Sequence, residues 1–280
     1  MNSLILNDTT RTELRAYLDH PVHALMLTGP AGAGLGTIAK SLARQIAGSD
    51  IVLLEPALHK QQKTAIISAE DVKDLSELTR DKLDHKLMIV IDGADQAASG
   101  VFERLLKLIE EPVPGVGYIF TAHNLAAIPK TIMSRSAVIR VKVPSAEQCQ
   151  TLYEGLDQRK ATQIKFLAEC LPAAIMQLKN DDEYLAKRGE SVEKAKNFLM
   201  SKAAKRLEVV ADLDRDQALL LTKDLKKLVV MLSKQARAKE TIAIRLQNLE
   251  ACTNRLKANC NVRAQLLDLA LNFDAAPHMV

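Results

Sequence analysis

Over the first half of the chain, short apolar runs alternate with segments of helical spacing; over the second half only helical spacing remains. His23-Ala-Leu-Met-Leu-Thr28 is an apolar run closed by a Gly-rich turn, which predicts a buried strand. Ile38, Leu42, Ala43 and Ile46 share one face of a predicted helix over 38–46, and Ile51 to Leu54 predicts a second strand. Ser68 with Asp71 three residues on approaches a capping box, opening a helix spaced by Val72, Leu75 and Leu78. Leu87-Met-Ile-Val-Ile91 is apolar throughout, as a strand covered on both faces must be. Val101, Leu105, Leu108 and Ile109 mark a helix stopped at Glu110-Glu-Pro112, and strands follow at Tyr118 to Thr121 and Ala137 to Val143. Such alternation predicts an α/β domain whose parallel sheet carries helices on both faces.

The pattern changes after Pro144. Ser145-Ala-Glu-Gln148 reads as a capping box, and from there the chain is all-α. Leu221, Leu225, Leu228, Val229 and Leu232 form one helical stripe, Leu246, Leu249 and Leu256 a second, and Leu266 to Leu271 a third, with Asn261 as a break or cap before it. Lys187-Arg-Gly-Glu190 is polar and contains Gly, which marks a second boundary. The expected domains are residues 1–144, 145–188 and 189–280.

Composition narrows the classes. The 280 residues are 48% hydrophobic, and no apolar stretch is long enough for a membrane span. The start, Met1-Asn-Ser-Leu-Ile-Leu-Asn-Asp, has no basic region ahead of a long apolar core, so no secretory signal is expected. Cys149, Cys170, Cys252 and Cys260 form no CxxC pair, which fits free thiols in a reducing cytoplasm and no metal site. Aromatics are 3% with no Trp, against a stacking platform for single strands. Net charge is only +4, too little for a solitary DNA binder resting on many phosphate contacts. Yet between Pro112 and Ala146 there is no acid, while Lys130, Arg135, Arg140 and Lys142 all fall there. Such a patch suits a phosphate-bearing partner, or is a basic surface strand without one.

The candidate chemistry begins at Gly29-Pro30-Ala-Gly32-Ala-Gly34-Leu35-Gly36-Thr37, between a predicted strand and helix. That is the setting of a phosphate loop, where glycines let backbone N–H groups converge on phosphate oxygens. The usual pattern is G-x-x-x-x-G-K-[ST]. Here Leu35 stands for the lysine that offsets phosphate charge and Gly36 for the hydroxyl that ligates magnesium. Thr37 could lend a hydroxyl one residue late, and Lys40 lies a helical turn on. A Gly-rich turn without ligand, weak ATP or ADP binding without hydrolysis, and hydrolysis all remain open from the loop alone. Met88-Ile-Val-Ile-Asp92-Gly-Ala-Asp95 puts an acid at a strand end, where P-loop proteins hold magnesium through water. Capping of the helix before Val101 is the equal alternative for Asp92 and Asp95. Pro129-Lys-Thr-Ile-Met-Ser134-Arg135-Ser136 is the third segment, an exposed turn if taken alone.

In order, these segments resemble the AAA+ subunits of DNA-polymerase clamp loaders. Leu105-Leu-Lys-Leu-Ile-Glu-Glu-Pro112 is similar to the family's LLKxLEEP helix end, and Thr131-Ile-Met-Ser-Arg-Ser136 to its T-I-x-S-R-C motif, with Ser136 for Cys. Ile67-Ser-Ala-Glu-Asp-Val-Lys-Asp-Leu75 resembles the I-S-I-D-x-V-R-x-L segment of the delta-prime type. The resemblance covers about residues 20 to 145. It implies an AAA+ sheet domain, a small helical lid and a C-terminal helical collar that assembles with motor and delta-type subunits, serving a sliding clamp and primed DNA. It implies that Arg135, within Ser134-Arg135-Ser136, is an arginine finger given in trans to a neighbour's ATP, and that His123 stands at the polar sensor position. Active relatives follow Asp92 with Glu where this chain has Gly93, and carry a lid arginine near Leu171-Pro-Ala-Ala174 that is absent here. The delta-prime zinc module is not expected either, since Gln45 to His85 holds no cysteine. The expectation is thus a non-hydrolysing subunit without its own cofactor. The alternative is a divergent ATP-hydrolysing subunit or other P-loop NTPase, since Gly29 to Thr37 also resembles the adenylate kinase loop.

Overall fold

The inner strands form because nearly all of their residues are apolar on both sides of the pleat. In the computed structural model, which describes residues 4–58, 65–78, 85–98, 100–233 and 239–275, β1 (Ala24–Thr28) and β3 (Leu87–Ile91) are buried at every position. With β2 (Ile51–Leu54), β4 (Val116–Ala122) and β5 (Ala137–Arg140) they make a five-stranded parallel sheet in the order β2-β3-β4-β1-β5. Successive side chains feed two cores. Ala24, Met26, Ile89 and Ile91 pack with α3 (Ala69–Leu78), α4 (Val101–Glu110) and α5 (Lys130–Met133). Leu25, Leu27, Met88 and Val90 pack with α1 (Asp8–Asp19) and α2 (Leu35–Ala47). β5 stops at Arg140, short of the apolar run to Val143, though the Val141 N–H still bonds Thr28 O at 2.7 Å.

Both capping boxes form. The Ser68 N–H donates to Asp71 Oδ2 at 2.7 Å, and the Ser145 and Gln148 pair exchange bonds of 2.9 and 3.1 Å. The second caps a turn rather than an α-helix. A 3₁₀ turn follows (Gln150–Tyr153), then α6 (Gln158–Ala168) and α7 (Pro172–Asn180).

The chain divides into two compact units, Met1–Asn180 and Asp181–Val280. The second consists of α8 (Asp182–Met200), α9 (Ala203–Val210), α10 (Arg215–Ser233), α11 (Lys239–Lys257) and α12 (Val262–Asn272). The break expected near residue 188 falls inside α8 instead: Lys187-Arg-Gly-Glu190 is helical, and Arg188 is buried against Asp224 of α10. Asp181 caps the helix by accepting from the Tyr184 N–H at 2.8 Å, so the chain turns there. Of the first stripe, Leu221, Leu225, Leu228 and Val229 are buried while Leu232 is exposed. Asn261 caps α12 through the Ala264 N–H at 3.0 Å. Val230 and Met231 on α10, and Leu267 and Leu271 on α12, stay exposed.

The four cysteines are free. Burial pushes the thiols of Cys149 and Cys252 up to about 11, so both stay protonated at neutral pH. In the native chain at neutral pH they are expected to alkylate about a hundredfold more slowly than an ordinary free thiol, because the thiolate is the nucleophile. A mass-spectrometric time course checks this; fast labelling of Cys252 would contradict its burial.

Candidate functional site

β1 ends at Thr28 and α2 begins at Leu35, and the loop between them holds itself closed. Gly32 and Gly34 have φ of 90° and 85°, values that glycine adopts without strain. Gly29 allows the close approach of the chain just after β5, since a Cβ there would stand 2.9 Å from Val141 O. Leu35, at the lysine position, is 3% exposed and packs in the core with Leu25, Ile38 and Val141. Its side chain is therefore structural. Thr37 and Pro30 are exposed. Lys40 is paired with Glu55 Oε1 at 2.6 Å.

The other side of the loop meets α7. The Ala173 and Ala174 N–H groups, in the first turn of α7, donate to Gly32 O at 2.9 and 3.2 Å. Leu171 packs against the core beside the loop. The segment where the resemblance leads one to look for a lid arginine thus presents apolar side chains and already-bonded amides.

Asp92 closes the third side. A Cβ on Gly36 would lie 1.8 Å from Asp92 Oδ2, so the carboxylate occupies the space a Ser or Thr side chain would need. It sits at the N-terminal turn of α2, where the helix dipole favours an anion. Its other oxygen, Oδ1, accepts from the Thr121 hydroxyl at 2.6 Å, and Thr121 Oγ1 accepts from the Gly93 N–H at 2.8 Å. Thr121, 2% exposed, is a member of this cluster that sequence reasoning missed; the one signal for it is a hydroxyl ending the apolar run Tyr118 to Thr121. Gly93 has φ of 79°, so a glutamate there would be strained.

Asp95 does not join Asp92. Its Oδ2 accepts from the His123 and Asn124 N–H groups at 3.1 and 2.8 Å and so ties down the loop after β4. Neither acid caps α4, whose N-cap is Gly100. His123 lies beside the phosphate loop, its Nδ1 2.9 Å from Gly29 O. With Arg140 and Lys142 it borders an open cavity of about 530 Å³ that Gly29 and Pro30 also line. Among the described residues no group of three or more His, Cys, Asp or Glu is arranged to hold a metal.

Arg135 is elsewhere. The single turn α5 is anchored by buried Ile132, and the Ser134 and Ser136 hydroxyls donate to Thr131 O and Ile132 O at 3.1 and 2.9 Å. Arg135 Nη1 donates to Thr131 O at 3.1 Å, and Nη2 pairs with Glu110 Oε1 at 2.7 Å. Arg135 precedes β5, whose first residue Ala137 is level with Leu25 of β1. From Leu25 to Gly29 the chain climbs about 13 Å, at about 3.3 Å for each residue. Arg135 and the phosphate loop therefore lie at opposite ends of neighbouring parallel strands, Arg135 before the start of β5 and the loop after the end of β1.

A profile of the family described as DNA polymerase III, delta subunit, matches residues 47–145. The Haemophilus influenzae DNA polymerase III subunit delta' is 28% identical over 136 residues, and the Buchnera aphidicola DNA polymerase III subunit gamma is 26% identical over 149. The chain is similar to DNA polymerase III clamp-loader subunits. The matches cover 48% and 45% of the chain, and the chain spans 40% of the length of each relative. Asp92, His123 and Arg135 fall inside the span matched by the profile, and the phosphate loop outside it. In fold, a DNA polymerase III gamma subunit-related protein of Thermotoga maritima superposes with a TM-score of 0.55 at 16% identity, covering 93% of this chain and 97% of that one. A variant of Thermotoga maritima RuvB superposes with a TM-score of 0.52 at 14% identity, covering 96% and 85%. The fold shared with these structures is a parallel α/β sheet domain followed by helices.

Proposed function

We propose that this chain is a non-hydrolysing, delta-prime-type subunit of a DNA polymerase III clamp loader. It helps load the sliding clamp onto primed DNA and gives Arg135 in trans to the ATP of a neighbouring motor subunit. The observation that carries this reading is the position of Arg135 at the end of the strands opposite to its own phosphate loop. Held by Thr131 and Glu110, the guanidinium is out of reach of that loop, while its 40% exposure leaves it open to another chain. A finger of this kind stabilises charge developing on a γ-phosphate.

Three features support the absence of hydrolysis at the chain's own loop. Leu35 is in the core, Asp92 fills the space at Gly36, and α7 amides bond Gly32. The exposed apolar residues of α10 and α12 give the second unit a surface for partner helices, in keeping with a collar. Among the described residues no helix is long and apolar enough to cross a membrane, and a cytoplasmic place follows from the proposed role.

Two measurements test the reading. The isolated chain should not turn over ATP; a rate of about 1 s⁻¹ or more, ordinary for enzymes, would favour a hydrolysing subunit instead. In a complex reconstituted with motor and delta-type subunits, clamp and primed DNA, Arg135→Ala should slow hydrolysis at the site it serves by about tenfold or more. Unchanged hydrolysis would remove Arg135 from the chemistry.

A further inference from the structure

Glu110 is the last residue of α4, followed directly by Glu111. Two carboxylates at a helix C-terminus oppose the helix dipole, so helix stability does not account for an acid there. Nor does the fold need its ion pair with Arg135: the two side chains are 39% and 40% exposed, and exposed pairs contribute little to stability. The pair does fix a geometry: it holds Nη2 2.7 Å from Glu110 Oε1. α4 is fixed in the core by Val101, Leu105 and Ile109, so the Glu110 carboxylate is presented from a rigid element. From the other side, Thr131 O and Ser134 Oγ take Nη1 at 3.1 and 3.4 Å. A guanidinium has five N–H donors in a fixed fork. Nη1 is bonded to Thr131 O and Ser134 Oγ and Nη2 is ion-paired with Glu110, while among the described residues the Nε–H makes no bond and stays able to meet a phosphate oxygen.

We infer that Glu110 is the positioning residue for Arg135, fixing its guanidinium before it meets the γ-phosphate of a nucleoside triphosphate on the neighbouring subunit. This rests on the reading of Arg135 as a finger in trans. An arginine left free must be ordered during the reaction; one already held by Glu110 and Thr131 reaches the phosphate with its fork set.

The test is ATP hydrolysis by the reconstituted complex carrying Glu110→Ala, Glu110→Asp, Arg135→Ala, or Glu110→Ala with Arg135→Ala. Glu110→Ala should lower kcat by about threefold with KM for ATP unchanged, the mark of an interaction acting only in the transition state. Glu110→Asp should restore part of the rate. In the Arg135→Ala background, Glu110→Ala should have no further effect. If Arg135→Ala itself has no effect, the finger reading fails. If Arg135→Ala slows hydrolysis but Glu110→Ala does not, or speeds it, the positioning role fails while the finger stands. An equal loss from Glu110→Ala with and without Arg135 would mean a structural role, and would also overturn the inference.

Discussion

A chain carrying Leu35→Lys together with Gly36→Thr, which restores the letters of an active phosphate loop, is expected to remain inactive toward ATP and to lose about 3–6 kcal/mol of stability. Leu35 is 3% exposed among core side chains, so the exchange removes buried apolar surface and brings an ammonium to its place. Threonine at residue 36 must displace the Asp92 carboxylate, which would lie 1.8 Å from its Cβ and is tied to Thr121 at 2.6 Å. Overpacking of this kind costs about 1–3 kcal/mol by itself. A urea midpoint reads the loss, and calorimetric titration reads ATP binding. Adding Asp92→Ala should recover part of the stability, because the clash is with that carboxylate. Turnover of about 1 s⁻¹ in the double variant would overturn this account of the loop.

Asp224→Ala is expected to destabilise the second unit by about 3–5 kcal/mol. Asp224 is 1% exposed and meets Arg188 through two bonds of 3.0 and 2.9 Å, with the Ser191 hydroxyl adding a third at 2.8 Å. Removing the carboxylate leaves a buried guanidinium without its counter-charge, and that desolvation is the source of the loss. The paired exchange Arg188→Met with Asp224→Leu should instead be nearly neutral, since it removes both charges and keeps much of the volume. Thermal unfolding of the single and paired variants separates the cases. A cost below about 1 kcal/mol for Asp224→Ala would mean that water reaches the pair.

The inner strands were legible because a parallel strand buried on both faces must be apolar at nearly every position, as Leu87 to Ile91 is; the partly exposed edge strands β2 and β5 were legible only as short apolar runs. The helix at Asp8–Asp19 escaped the pattern: only Thr10, Leu14 and Tyr17 are buried on it, too few for a stripe. Lys187-Arg-Gly-Glu190 looked like a linker because charge in sequence suggests solvent. Nothing local reveals that Arg188 has a carboxylate on a helix 36 residues on. At the site, each substituted position of the loop could be read, but not the arrangement that accompanies it. That Asp92 leans on Gly36, and that α7 amides bond Gly32, are contacts between segments far apart in the chain. Glu110 lay within a recognised motif and still gave no hint of its partner.

Gly36 and Asp92 fit each other as a pair, and that has a bearing on how such a chain can change over generations. Lysine alone at residue 35 burdens the core, threonine alone at 36 collides with Asp92, and glutamate alone at 93 takes up a left-handed backbone. Each single step toward a hydrolysing sequence therefore runs downhill in stability before any activity could reward it. The interacting positions must change together, so drift by isolated mutations is expected to leave this loop as it is.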